Sequence, residues 1–257
     1  IPTYRQTALV RACVASLAGS KAAEILVVDD GSPLDVQEAL RSLPCAVVCQ
    51  EQNGGFAAAV SEGMRRARPG HDLVILNSDV EARPNWLETL RAAAYQAADI
   101  GIVGPKLLYP NGAIQSAGSC RNVLNPEWFD HRFRYRPADF PAANVAGEVG
   151  AVTGACMYVK RDVVNAIGGF DERFPLGFED VDYCLRARRA EFRIVYCPQA
   201  TLTHYESATR GRGRSERELR SKTYFWETWS ASREIRALAF CGRGGDPTKT
   251  SEETPVP

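Results

Sequence analysis

The chain has no excess charge of either sign: Lys and Arg together number 31, and so do Asp and Glu. Without a global field there is no electrostatic case for nucleic acid as a partner, so any anion must be recognised locally. No apolar run in this sequence approaches the roughly 20 residues of a membrane-spanning helix, so no transmembrane segment and no signal peptide are expected within it. Internal repeats are absent. The eight cysteines, at 13, 45, 49, 120, 156, 184, 197 and 241, include no Cys-x-x-Cys pair. Several lie in apolar runs, Cys156 in Ala155–Val159 and Cys197 in Ile194–Cys197. That pattern predicts reduced, buried thiols in a cytoplasmic protein and excludes a zinc ribbon or a disulfide frame. The pair Gly54-Gly55 belongs to no Gly-x-Gly-x-x-Gly and precedes no phosphate-loop Lys, which argues against nucleotide binding by those modes.

What is present is an ordinary globular composition: 257 residues, 45% hydrophobic and 24% charged, enough for one large α/β domain or two small ones. The chain opens at Ile1-Pro2-Thr3 without Met, so its first strand is expected to lack its opening residues. Apolar residues at 9, 10, 13, 14 and 17 share one helical face within Gln6–Leu17. Glu24–Val28 is a short, nearly continuous apolar strand running into Asp29-Asp30-Gly31-Ser32. A helix near 35–42, a strand at Ala46–Cys49, an Ala-rich helix Phe56–Arg66 and a strand Leu73–Leu76 follow. A further helix begins at Pro84 and Trp86, and Ile100–Gly104 is the next strand. Such alternation predicts a mostly parallel, Rossmann-like sheet flanked by helices, with ligands at the carboxyl ends of its strands. The polar groups Thr3, Asp29-Asp30 and Asn77-Ser78-Asp79 fall there.

After Lys106 the rhythm changes. Asn111-Gly112 signals a hairpin turn. The stretch 119–147, with Trp128, Phe129, Phe133, Tyr135 and arginines 121, 132, 134 and 136, reads equally as a long functional loop or a disordered one. Strand character returns over Val149–Lys160, together predicting a smaller β subregion. Residues 207–241 are predicted to be a basic loop and a helical extension from about Glu218 to Phe240, and 242–257 a disordered tail.

Three carboxylates, Glu179, Asp180 and Asp182, sit among Phe178, Val181, Tyr183 and Leu185 at the start of a predicted helix reaching about Arg189. Two readings stand side by side. Acids there cap and charge-stabilise a first helical turn, or a half-screened carboxylate is poised as a general base. Asn77-Ser78-Asp79 has the same duality, as turn chemistry or as a hold for a hard divalent cation against phosphate oxygens. His204 ends a strand in a polar setting, where a structural role and a metal role both apply.

Four features in order, Ile1-Pro2-Thr3-Tyr4, Val28-Asp29-Asp30-Gly31-Ser32, Leu76-Asn77-Ser78-Asp79-Val80 and Gly168-Gly169-Phe170-Asp171-Glu172 through Glu179-Asp180-Val181-Asp182, resemble family 2 glycosyltransferases of the GT-A fold, in particular the rhamnosyltransferase-like bacterial branch. Gly104–Leu108, Gly112–Gln115 and Pro198-Gln199-Ala200 leading to His204 carry the same resemblance, which spans about 1–206. The resemblance implies a donor half, 1–104, and an acceptor and catalytic half, 105–206. Pro2, Thr3, Asp30 and Asn53 would line the donor pocket with Asn77, Ser78 and Asp79, the Asp30 carboxylate accepting from a uracil or thymine N3–H. Asp79 and His204 would hold Mg2+ or Mn2+. Asp180 would be the base with Glu179 beside it, and Gly154 would border the acceptor; separately, the aromatic loop Arg121–Arg136, with Trp128, reads equally as part of an acceptor platform or as a surface excursion or oligomer contact. Asn77 stands where the family motif has its first acid, and Ser61 where relatives often carry Asn.

The implied activity is an inverting transfer of a sugar from a nucleoside diphosphate donor, dTDP-rhamnose or a UDP-sugar, to a hydroxyl of a glycan, lipid-linked or small-molecule acceptor. The implied location is cytoplasmic, with peripheral contact at the inner membrane face and homo-oligomer formation left open. Arg210, Arg212 and Arg214 are candidates for a lid over the diphosphate or for a solvated basic segment. The alternatives are a catalytically silent homologue serving as a binding or assembly module, and a nucleotidyltransferase. The latter would need a basic Gly-rich loop after the first strand, which Pro2-Thr3-Tyr4-Arg5-Gln6 does not supply.

Overall fold

A computed structural model describes residues 1–20, 24–205 and 215–242. The arginines 210, 212 and 214 and the tail from 243 lie outside the described residues. The first half alternates strands and helices: β1 (Pro2–Thr3), α1 (Thr7–Ser16), β2 (Leu26–Asp29), α2 (Leu34–Arg41), β3 (Ala46–Cys49), α3 (Phe56–Arg66), β4 (Leu73–Leu76), β5 (Val80–Ala82), α4 (Trp86–Ala94) and β6 (Ile100–Leu108). The second half continues with β7 (Ile114–Ser116), β8 (Ser119–Asn122), β9 (Phe129–His131), a 3-10 turn at Pro141–Asn144, β10 (Gly147–Glu148), β11 (Cys156–Val159), α5 (Arg161–Ile167), α6 (Glu179–Arg189), β12 (Arg193–His204), α7 (Glu216–Trp229), α8 (Arg233–Arg236) and β13 (Phe240–Cys241).

The strands β1, β2 and β3 pair in parallel, in that order. A seven-stranded sheet runs β10-β12-β6-β11-β4, with β5 against β12 and β7 against β6. Within it β6 and β12 are parallel, whereas β11 enters antiparallel between β4 and β6. This mixed register gathers chemistry at one edge. The carboxyl ends of β1, β2 and β4 carry Thr3, Asp30 and Asn77, and the reversed β11 brings its amino end, Gly154 and Ala155, to the same place, since Cys156 pairs with Leu76. His204 pairs with Val80, next to Asp79. The hairpin expected at Asn111-Gly112 joins β6 to β7, with Gly112 at φ 84° and the Tyr109 N–H donating to Ala113 O at 2.8 Å.

Helix α3, rich in the strong helix former Ala, is buried around most of its circumference at Ala57, Ala58, Ala59, Val60, Ser61 and Met64, while Arg65 and Arg66 stay outside. Helix α6 places Glu179, Asp180 and Asp182 in its first turn and Arg186, Arg188 and Arg189 in its last, matching the helix dipole at both ends. Helix α7 opens on a capping box, Ser215 Oγ accepting from the Glu218 N–H while the Glu218 carboxylate accepts from the Ser215 N–H. Its Phe225 and Trp229 are fully buried in the cluster that also holds Phe174, Val181, Tyr183 and Leu185. Burying each such side chain is worth about 1.5–3 kcal/mol.

The stretch 119–147 is ordered. β8 lies between β9 and β13, and Phe129 meets Phe178, Phe225 and Trp226 at ring-centroid distances of 5.7, 5.3 and 6.4 Å. The helical extension also ends earlier than the sequence suggests, breaking after Trp229 and closing on the strand β13.

One expectation is corrected. Cys120 and Cys241 form a disulfide with Cα atoms 5.9 Å apart, while the other six cysteines are free. The two residues are 121 positions apart, and pairing of β13 with β8 alone brings them together, so spacing carried no sign of it. The inference of a reducing compartment from the cysteines falls with it. Thiol titration of the denatured, unreduced chain is expected to count six thiols. Cys120→Ser is expected to cost about 2–4 kcal/mol in urea unfolding, and a count of eight with unchanged stability would refute the pairing.

Candidate active site

The first cluster, at the carboxyl end of β2, is built on Asp30, which is 5% exposed. Its Oδ1 accepts from the Gly54 N–H at 2.7 Å and its Oδ2 from the Gly55 N–H at 2.9 Å, while Asn53 Nδ2 donates to Asp30 O at 3.1 Å. Burial raises the carboxyl above the ordinary Asp range, and the two glycine amides and the Arg217 guanidinium pull it back. Gly55 has φ 90°, and a Cβ there would lie 3.2 Å from Arg217 Nη2. Thr3 Oγ1 is buried in this corner without a hydrogen-bond partner. Asp30 thus binds backbone here, and a carboxylate bonded twice keeps further lone-pair directions for a ligand donor.

At the end of β4, the Asn77 N–H donates to Ala155 O at 2.9 Å. Beneath it the Cys13 thiol donates to Asn77 O at 3.6 Å, and burial pushes that thiol up to about 12, so it stays protonated. Asp79 Oδ1 lies 3.1 Å from His204 Nε2, and Asn77 Nδ2 lies 3.5 Å from the same nitrogen. On its far side, His204 Nδ1 is 2.6 Å from Gln115 Oε1. Asn77 Oδ1 is buried and unpartnered.

Among the described residues no group of three or more His, Cys, Asp or Glu is placed to hold a metal. Asp79 Oδ1 and His204 Nε2, an oxygen and a nitrogen 3.1 Å apart, nevertheless fit a cation that draws its remaining ligands from phosphate, since hard divalent ions bind few protein groups in such sites.

A third cluster lies at the amino end of α6. Asp180 Oδ2 accepts from the Gly154 N–H at 3.0 Å and Oδ1 from the Val181 N–H at 2.8 Å. A Cβ on Gly154 would sit 3.2 Å from the Phe56 ring and 3.4 Å from Asp180 Cβ, so the close approach favours glycine. Asp180 is half-buried and Glu179 buried. The residue before them, Phe178, has φ 71°, costly for an aromatic side chain, and is held by Trp128 at 5.4 Å and Phe225 at 5.3 Å between ring centroids.

Of the residues expected in the site, Asn77, Asp79 and His204 form one contact group, Asp180 and Gly154 another, and Asp30 and Asn53 a third. Pro2 pairs with Val28 in the first sheet. Ser61 belongs elsewhere: its hydroxyl donates to Phe170 O at 3.1 Å, tying α3 to the loop before α6. Asp182 is structural, accepting from Trp229 Nε1 at 2.8 Å and Arg186 Nε at 2.8 Å. Gln115 and Arg217 had no role assigned from sequence. Gln115 stood in a stretch singled out for its likeness alone, and the Ser215-x-x-Glu218 capping pattern was the signal that set Arg217 in a helix's first turn.

A domain of mixed α/β layers with aspartates at its strand ends places those acids where ligands bind in open α/β sheets. The sequence profile described as Glycosyltransferase like family 2 matches residues 1–227, and the chain belongs to that family. It is 32% identical over 196 residues to the O-antigen biosynthesis protein RfbC of Myxococcus xanthus, covering 74% of this chain. It is 27% identical over 230 residues to the N-acetylglucosaminyl-diphospho-decaprenol L-rhamnosyltransferase of Mycobacterium tuberculosis, covering 77% of this chain and 71% of that protein. The chain spans 14% and 27% of the lengths of the two curated relatives that are 32% identical to it. Its fold matches the mannosyltransferase PcManGT of Pyrobaculum calidifontis at a TM-score of 0.58 and 19% identity, over 82% of this chain and 56% of that one. The fold is that of the GT-A glycosyltransferases. Among the described residues no helix is long and apolar enough to cross a membrane.

Asp182→Ala strands the buried Trp229 N–H and takes one partner from Arg186, which keeps the Ile167 and Gly169 carbonyls, and is expected to cost about 2–3 kcal/mol in denaturant unfolding. A cost under about 1 kcal/mol would remove Asp182 from the structural account.

Proposed function

We propose that this domain transfers a sugar from a nucleoside diphosphate donor to an acceptor hydroxyl with inversion, dTDP-rhamnose or a UDP-sugar being the favoured donor. One observation carries the reading. The short turn Gly154-Ala155 binds the Asp180 carboxylate through one amide and the Asn77 amide through the next carbonyl, so the base and the donor-holding strand share a single rigid piece of backbone.

In the reaction, the acceptor oxygen bonds to the anomeric carbon as the bond from that carbon to the diphosphate oxygen breaks. Asp180 takes the hydroxyl proton, and Glu179 adds a second acid to the same helix end. The amides of Gly154 and Val181 hold both Asp180 oxygens, which fixes the carboxylate's orientation. Asp30, Thr3, Pro2 and Asn53 bind and orient the base, Thr3 Oγ1 and the free Asp30 lone pairs being the groups with capacity left to do so. Ser78 follows Asn77 in the phosphate-facing turn. Asp79 and His204 hold Mg2+ or Mn2+, which, when bound, offsets negative charge on the leaving diphosphate. Gly154 and Trp128 line the acceptor side, Trp128 offering an aromatic face beside Phe178.

Two likenesses support the donor and metal assignments: the Mycobacterium relative is named a rhamnosyltransferase, and the Pyrobaculum structure holds GDP-Man and Mn2+.

Asp180→Asn is expected to lower the transfer rate by about 10²–10⁴-fold while leaving donor affinity within about twofold in calorimetry. Wild-type turnover in that variant would sink the base assignment. Calorimetric titration of UDP and dTDP is expected to show binding with Mn2+ that drops at least about tenfold with EDTA or in Asp79→Ala. If neither nucleotide binds with the cation present, the donor reading is wrong.

A further inference from the structure

The His204 side chain is gripped from behind by a residue on a different strand. Gln115, 1% exposed on β7, reaches across β6 to β12, where its Nε2 donates to the His204 backbone oxygen at 3.3 Å and its Oε1 lies 2.6 Å from His204 Nδ1. A backbone oxygen can only accept, so the amide nitrogen must face it and the amide oxygen must face the ring. Nδ1 therefore carries the hydrogen. The other ring nitrogen, Nε2, faces the Asp79 carboxylate oxygen at 3.1 Å and Asn77 Nδ2 at 3.5 Å, and in the neutral ring with hydrogen on Nδ1 it presents a lone pair to that oxygen. Two acceptors at that distance repel unless positive charge comes between them. We propose that Gln115 is a positioning residue for a divalent cation: by fixing the His204 tautomer and ring plane it turns Nε2 and Asp79 into one N,O ligand pair. The inference rests on the cation reading of the proposed function and goes beyond it by assigning what orients the ligand.

Burial makes the grip specific. Gln115 and His204 are 1% and 7% exposed, so little water reaches Nδ1 to replace the amide if it is removed. A ring freed from Gln115 can flip or take the other tautomer, placing a hydrogen against Asp79 and closing the pair to a metal.

The test is Mn2+ titration of the full chain, by electron paramagnetic resonance, with saturating UDP and separately with dTDP. Gln115→Leu is expected to weaken Mn2+ binding about 10–100-fold, and Gln115→Glu, which keeps an acceptor for Nδ1–H, to hold it within about threefold of wild type. In a His204→Ala background Gln115→Leu is expected to change Mn2+ affinity by less than about twofold, because its route to the metal is gone. Wild-type affinity in Gln115→Leu, or the same loss in both backgrounds, would overturn the positioning role and leave the cation reading intact. A wild-type chain that binds no Mn2+ with either nucleotide would overturn both. Should Gln115→Leu fail to fold, Gln115→Met carries the same expectation with a closer match in length.

Discussion

The site depends on one two-residue turn. Gly154 gives its amide to Asp180, and Ala155 gives its carbonyl to Asn77, so the amino end of α6 and the carboxyl end of β4 hang from adjacent residues. That arrangement exists only because β11 runs antiparallel between β4 and β6, which reverses its direction and delivers its first residues to the edge where the parallel strands end. A parallel β11 would send the turn to the opposite side of the sheet. The absence of a side chain at Gly154 completes the constraint, since Phe56 and Asp180 crowd the position from both sides.

Around this turn the protein spends stability on holding one strained residue. Phe178 adopts a left-handed backbone immediately before Glu179 and Asp180, at a cost of about 1–3 kcal/mol. Trp128 from the loop after β8 and Phe225 from α7 press on its ring, and aromatic pairs of this kind contribute about 0.5–1.5 kcal/mol each beyond simple burial. The C-terminal elements thus act on the amino end of α6 rather than trailing from it. Asp182 adds the second tie, taking hydrogen bonds from Trp229 of α7 and Arg186 of its own helix. The Cys120–Cys241 disulfide joins the last described strand to the same region and limits how far α7 and the Trp128 loop can separate.

Much of this was legible one element at a time. Helices α3 and α6 sit over Phe56–Arg66 and Glu179–Arg189 as their patterns predict, because each is written in a local code: helix-forming alanines for the first, and acids then arginines for the second. The strand ends at Asp30 and Asn77 were legible for the same reason, apolar runs breaking into turn-forming polar residues. The region 119–147 was not legible. Its strands are short, and its order comes from contacts with α7 and β13, roughly a hundred residues later, which no local window contains. The disulfide was hidden in the same way, and Gln115 looked like one more polar residue in a hairpin.

The sequence alone determined the type and place of the elements from α1 to β6 and of α6, the four motifs in their order, and the acids available for chemistry, since propensity, periodicity and turn formation act over a few residues. Only the tertiary structure decided which of those acids serve the site. Asp182 turned inward to Trp229, Asp180 met Gly154, and Asp79 met a histidine 125 positions away whose far nitrogen is held by Gln115. The reason is physical: the direction and register of β11, β7 and β12 set those meetings, and strand pairing is chosen by the burial of the whole sheet rather than by any one segment.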